Sequence, residues 1–257
     1  MTASEFRYGA LAGVLLFVSY YFQTYGLKYT TASKNAFITT LYVIIVPFLH
    51  WLISRIRPSK YSMAAALIAV AGLALLSLEG DLTVSYGDFL TLICSIGFAL
   101  HLICLDRYTA SSDPIRLTVM QMAAAALCSW ATAVLTEGSF PVSVLSDRGV
   151  LVSVLYLGLA SSMLCFLLQT LGQKYLSAAT SSILLSFESV FGLVFSVIFL
   201  QEALTGRMLL GCTLMFFAAL CAECAPSGKG GDSGQGKKKQ EKENKEKAGS
   251  EWQKHFT

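Results

Sequence analysis

Charged side chains are scarce in this chain. Asp, Glu, Lys and Arg make up 14% of its 257 residues, where a soluble globular domain carries about 25%. With 54% hydrophobic residues and a mean hydropathy of +0.60, the composition excludes an ordinary soluble domain. Sequence signatures of catalysis are also missing. There is no Gly-rich phosphate loop, no HExxH helix and no GxSxG nucleophile elbow, so no enzymatic activity is expected. No apolar run carries paired Asp, Ser/His or clustered His residues, which excludes intramembrane proteolysis and lipid transfer.

A strong charge imbalance is absent outside one segment. Residues 225–257 hold eight Lys against five acids, whereas residues 1–224 carry eleven basic and eleven acidic side chains. The net charge of +3 therefore belongs to the tail and gives no argument for nucleic acid. Low in complexity, this tail cannot bury an apolar core and is expected to be disordered. Seven cysteines (94, 104, 128, 165, 212, 221 and 224) lie inside or at the ends of apolar runs, where a thiol packs as a small apolar group. Cys221 and Cys224 have CxxC spacing, but no second Cys/His pair completes a zinc site. No metal or other cofactor is expected.

Long hydrophobic runs are present in number. A hydrocarbon core of about 30 Å needs about 20 helical residues, and eight stretches qualify: 8–26, 33–53, 61–78, 87–106, 115–136, 150–173, 178–200 and 207–224. The run from Tyr8 is long and is followed by no small-residue cleavage pattern, so it reads as a retained membrane helix rather than a signal peptide. Placing the N-terminus in the cytoplasm puts Arg7, Arg55, Arg57, Lys60, Arg107, Arg116, Lys174 and the tail inside. Lys28, Lys34, Arg148 and Arg207 fall outside. That asymmetry predicts two cytoplasmic termini in a multi-pass protein of the cell membrane.

The chain also repeats itself. QTYGLKYTTA at 23–32 returns as QTLGQKYLSA at 169–178, an offset of 146 residues. The same offset places span 8–26 on 150–173, 33–53 on 178–200 and 61–78 on 207–224. Five spans separate the first from its mate, so the two copies begin on opposite sides of the bilayer. The expected fold is an all-α polytopic membrane protein of eight transmembrane helices, an inverted repeat of 3 + 5. Duplications of this kind support alternating access.

Three segments carry a family resemblance: GLKYTTASKNAFITTLYVIIVPFL, GDFLTLICSIGFALHLICLDRYTASSDPIRLTVMQ and ILLSFESVFGLVFSVIFLQEALTGRMLLGCTLMF. Over about residues 8–224 the chain resembles EamA-type members of the drug/metabolite transporter superfamily. The resemblance implies ten helices in two inverted five-helix repeats, of which this chain lacks what would be the first two. It divides the chain into a three-helix first repeat at 1–80, a complete five-helix second repeat at 85–224 and a cytoplasmic tail at 225–257. The Glu-Pro of the penultimate family helix is Glu188-Ser189 here.

Candidate substrate-binding residues follow from polarity inside apolar runs. Glu188 sits near the middle of span 178–200, where a charge costs several kcal/mol unless paired or neutralised. A proton- or cation-binding role and a structural, hydrogen-bonded carboxyl both fit it. Lys34 and Asn35 open span 33–53; Lys34 either lines an anion-accepting cavity or reaches to the interface. Tyr42 is the repeat mate of Glu188 and can face a cavity from the other half. His101 and Gln121 are candidate lining residues, although a lone His on a helix is more often an interhelical hydrogen-bond partner. Gln23 and Gln169, one per copy, suit helix bridging. Pro47 is expected to kink its helix, His50 and Trp51 to sit at an interface, Asp106 and Arg107 to form a solvated pair, and Glu202 to start a helix.

The composite expectation is a secondary transporter of small metabolites, an exporter or exchanger working by alternating access. Its partners would be the lipid bilayer and a small-molecule substrate. The alternative is a truncated, non-transporting membrane protein, or one that needs a partner chain, such as a second copy in a homodimer, to complete its bundle.

Overall fold

The computed structural model describes residues 3–55, 57–77, 84–137, 147–200 and 205–223. Glu79, Asp81, Glu202, Cys224 and the tail at 225–257 lie outside them. Within the described residues the chain is helical, without strands. The helices are α1 (Ala3–Leu27), α2 (Ala32–Thr40), α3 (Tyr42–Ser54), α4 (Lys60–Ser77), α5 (Tyr86–Tyr108) and α6 (Pro114–Glu137). They continue as α7 (Arg148–Leu155), a π-helical turn pair (Tyr156–Leu164), α8 (Cys165–Gln173), α9 (Ala178–Leu185), α10 (Glu188–Leu200) and α11 (Gly206–Glu223).

Six segments are long and apolar enough to cross a membrane: Glu5–Leu27, Lys34–Ser54, Tyr86–Tyr108, Pro114–Thr136, Arg148–Gln173 and Ala178–Phe199. The stretches expected at 61–78 and 207–224 appear as shorter apolar helices, Lys60–Leu75 and Gly206–Cys221. Small residues explain what those two do. Gly72 backs so closely on α11 that a Cβ there would lie 2.8 Å from the Gly211 carbonyl oxygen. Ala65, Ala66 and Ala69 of α4 are buried in one cluster with Met215 and Ala218 of α11.

Two spans are broken inside. Lys34–Ser54 stops at Leu41 between α2 and α3, and Ala178–Phe199 stops at Ser186-Phe187 between α9 and α10. A hydroxyl turns back on its own helix at each break: Thr40 Oγ1 donates to the Ala36 carbonyl at 2.8 Å and Ser186 Oγ to the Ile183 carbonyl at 2.6 Å. Such back-bonding loosens a helix without by itself ending it, since Thr91, Thr118 and Thr170 make the same bond within continuous helices. Pro47 lies within α3 without ending it. Arg148–Gln173 departs differently, through the π-helical Tyr156–Leu164.

The offset of 146 residues recurs in the element bounds. Added to α3 and α4 it gives the ends of α10 and α11, and added to α2 it gives 178–186 against the observed Ala178–Leu185. The caps repeat as well. Thr31 accepts from the Lys34 backbone N–H and its mate Ser177 from that of Thr180, the ordinary way to satisfy a first-turn donor.

α5 is the centre of the bundle. Of its membrane window 67% is buried, against 28% for α1 and 6% for Arg148–Gln173. α1 packs on α5 and α6, α3 on α5 and α9, and α8 on α6. Close approach of α1 to α5 needs glycine: a Cβ on Gly26 would lie 2.7 Å from Thr91 Oγ1 and 3.0 Å from the Gly87 carbonyl oxygen. The repeat-related Gly172 has nothing within 4 Å.

This contrast is measurable. Gly26→Ala is expected to destabilise the protein by about 1–3 kcal/mol through overpacking. Gly172→Ala is expected to be neutral or stabilising by up to about 1 kcal/mol, the usual helical preference for Ala. Thermal unfolding in detergent distinguishes them, and equal midpoints would refute the packing account.

Candidate functional site

Both helix breaks open onto the same cavity. It has a volume of about 400 Å³ and is lined by Tyr20, Gln23, Ala36, Thr39, Thr40, Tyr42, Phe98, His101, Leu102, Phe166, Gln169, Leu185, Ser186, Glu188 and Ser189. That size is within the about 300–1,000 Å³ typical of small-ligand pockets. Ten of these residues form five pairs at the 146-residue offset: Tyr20 with Phe166, Gln23 with Gln169, Thr39 with Leu185, Thr40 with Ser186, and Tyr42 with Glu188. The remaining wall includes Phe98, His101 and Leu102 of α5.

Glu188 begins α10 directly after the break. It is exposed and lines the cavity. Among the described residues its side chain makes no ion pair and no hydrogen bond, while its charge acts on the phenols of Tyr20 and Tyr42. Tyr42 is buried at 9% exposure and Tyr20 is more open. The aromatic wall is continuous: Tyr20 meets Phe98 edge-on at 5.4 Å and Phe166 at 6.3 Å, and Tyr42 meets Phe98 at 6.4 Å.

His101 and Gln121 are brought together behind this wall. His101 lines the cavity at 1% exposure, and Gln121 is fully buried. The His101 Nε2 to Gln121 Oε1 distance is 2.9 Å, and Gln121 Nε2 lies 3.2 Å from Thr170 Oγ1. Thr170 donates its own proton to the Phe166 carbonyl at 2.7 Å, so its oxygen must accept from the Gln121 amide. The Gln121 oxygen then faces His101, which donates from Nε2 and keeps Nδ1 as an acceptor. The network ties α5, α6 and α8 together at the cavity.

Lys34 and Asn35 are placed elsewhere. Lys34 is half-buried in the first turn of α2, within electrostatic reach of the buried Asp88. Asn35 sits one turn before Thr39 and is 5% exposed. Its Nδ2 donates to Thr91 Oγ1 at 2.8 Å and to the Gln23 carbonyl at 3.2 Å. Gln23 in turn donates to Thr39 at 3.3 Å. Asp88 completes this polar seam by capping α5 together with Ser85 and accepting from Thr30 Oγ1 at 2.5 Å. At the other end of α5, Asp106 lies 4.0 Å from His50 rather than in a solvated pair with Arg107. The ring thereby joins α3 to α5.

Sequence polarity alone did not single out Tyr20, Phe98, Phe166, Thr40 or Ser186 as cavity residues. Pairing positions across the repeat finds four of the five, because Tyr20 falls on Phe166 and Thr40 on Ser186. Phe98 has no such mate in the chain.

Gln121→Leu is expected to cost about 1–3 kcal/mol, since it strands buried partners on His101 and Thr170. A melting midpoint equal to that of the unaltered protein would show that the network contributes nothing to stability.

Comparison with known proteins agrees with these features. The sequence matches the EamA-like transporter family over residues 2–78 and 85–222. An uncharacterized transporter of Archaeoglobus fulgidus is 31% identical over 216 residues, covering 84% of this chain and 68% of that protein. A solved crystal structure covers 85% of this chain and 84% of its own with a TM-score of 0.67 and 16% identity, a likeness of fold alone. A helical bundle with six membrane-length apolar segments, matched in both of its parts by one family, is a membrane protein of the drug/metabolite transporter type: this chain belongs to the EamA-like transporter family.

Proposed function

We propose that this chain is a secondary transporter of small metabolites, an exporter or exchanger, with the cavity between the two broken spans as its substrate site. Glu188 carries the reading. A carboxylate at the centre of a membrane span costs about 2.5–3.5 kcal/mol, and here it faces a cavity with neither a salt bridge nor a hydrogen bond among the described residues. Tyr42, His101 and the paired Gln23 and Gln169 share that cavity. Gln121 supports it through His101, while Lys34 and Asn35 act from the neighbouring polar seam.

Alternating access is supported by the recurrence of helix bounds, caps and breaks at one offset, and by a cavity walled by offset-related pairs. In this reading eight spans form an inverted repeat, with residues 1–80 giving three and 85–224 giving five. α4 and α11, 18 residues each, would span about 27 Å at 1.5 Å per residue, close to a bilayer core. The asymmetry of Lys and Arg favours a cell-membrane protein with cytoplasmic termini.

A second reading, a bundle completed by a partner chain, is favoured by one observation. Span Arg148–Gln173 has 6% of its membrane window buried, whereas its repeat mate has 28%. Light scattering of the purified, detergent-solubilised protein tests it: a strictly monomeric mass with full flux after reconstitution would refute it.

Reconstitution of the full chain into proteoliposomes, with uptake measured across a metabolite panel, tests the main reading. Saturable flux is expected, and Glu188→Gln is expected to lower it at least tenfold and to flatten its pH dependence. A folded, full-length sample without saturable flux would reject transport.

A further inference from the structure

We propose that the cavity selects small organic monocations, an ammonium group carried on an aromatic or apolar body. The binding claim depends on the cavity described above; the transporter reading enters only for movement across the bilayer.

Charge comes first. Among the described residues of the lining Glu188 is the one carboxylate, and there is neither Lys nor Arg. Lys34, the cation best placed by sequence to receive an anion, is not in the lining and stands near Asp88. An anion would therefore meet an uncompensated like charge, and a zwitterion would find no cation for its carboxylate. A monocation brings the counter-charge that Glu188 lacks.

Hydrogen-bond capacity is compatible with an ammonium group. The hydroxyl protons of Thr40 and Ser186 are given to backbone carbonyls, which leaves their oxygens as acceptors. His101 donates from Nε2 to Gln121, so its Nδ1 accepts. Gln23 gives an amide proton to Thr39, and its own amide oxygen is an acceptor. The Tyr20 and Tyr42 phenols and the Gln169 amide can donate as well, so the wall accepts N–H bonds from a ligand without excluding one that accepts them, and charge decides between the two.

Shape and polarizability give the body of the ligand. Tyr20, Tyr42, Phe98 and Phe166 supply aromatic faces around the carboxylate. Aromatic faces attract ammonium groups through the ring quadrupole and stack on an apolar ligand body.

Equilibrium binding of radiolabelled phenethylamine to the purified full chain tests this directly, followed by uptake into proteoliposomes. Competitors of similar shape are 2-phenylethanol (neutral), 3-phenylpropionate (anionic) and phenylalanine (zwitterionic). Half-displacement is expected at concentrations at least tenfold higher for each competitor than for unlabelled phenethylamine. Glu188→Gln is expected to weaken phenethylamine at least tenfold, a change of about 1.4 kcal/mol, while 2-phenylethanol changes less than twofold. Glu188→Asp, which keeps the charge, is expected to retain the preference and controls for folding. Absence of saturable phenethylamine binding to folded protein overturns the proposal. So does 3-phenylpropionate or phenylalanine binding as tightly, or an unchanged affinity in Glu188→Gln. Selective amine binding without flux of any probe sustains the proposal and removes the transporter reading. Saturable flux of the anion does the reverse.

Discussion

Hydrocarbon offers no hydrogen bonds to a polypeptide backbone, and the organisation of this protein follows from where it can satisfy its own. Each spanning segment must keep its N–H and C=O groups paired along a helix. Interruptions are tolerated only where protein or a cavity takes over the freed groups. The breaks at Leu41 and Ser186-Phe187 meet that condition: each borders the same cavity, and each is anchored by a hydroxyl bonded to the preceding turn. The site is polar because the backbone is broken there, and the backbone can break there because the site is polar.

Around that site the packing is graded. α5 is surrounded, and it accepts close neighbours through Gly87 and Gly97, beside which a Cβ would collide with Gly26, Thr30 or Ser19. Its C-terminal half carries Phe98, His101 and Leu102 into the cavity wall. Asp88 at one end accepts from Thr30 in the turn between α1 and α2, and Asp106 at the other lies 4.0 Å from His50 of α3. α5 is thus a post against which the broken spans lean. Arg148–Gln173, by contrast, presents most of its surface outward. Its π-helical turns lie where few neighbours constrain the helix, as a register irregularity would need.

Much of this was legible in the sequence. Hydropathy located the six membrane-length helices because such a helix advertises itself by length alone, and it also marked the shorter apolar α4 and α11. The 146-residue offset read in the sequence recurs in the helix bounds, and Tyr42 and Glu188 line one cavity. Other features were not legible. Lys34 and Asn35 lie just before the lining residue Ala36 in sequence, but one helical turn separates Asn35 from Thr39 and its amide is bonded to Thr91. The pairing of His101 with Gln121 joins helices across 20 residues, and no periodicity within either helix reveals it. The breaks themselves were hidden because neither Gly nor Pro stands at Leu41 or at Ser186-Phe187 to interrupt the apolar run.

The unequal mates Tyr42 and Glu188 have an electrical consequence. One half of the duplication contributes a neutral phenol, the other an ionisable acid. If the acid is ionised and the cavity empty, a rearrangement that moves it through the membrane field moves one negative charge. Once a proton or a cation neutralises it, the same rearrangement moves none. Membrane voltage, at about 2.3 kcal/mol per elementary charge for each 100 mV, then acts on the unloaded form alone. In a carrier working by alternating access, this one difference between the two copies would make the resting potential a term in the return step rather than in the loaded one.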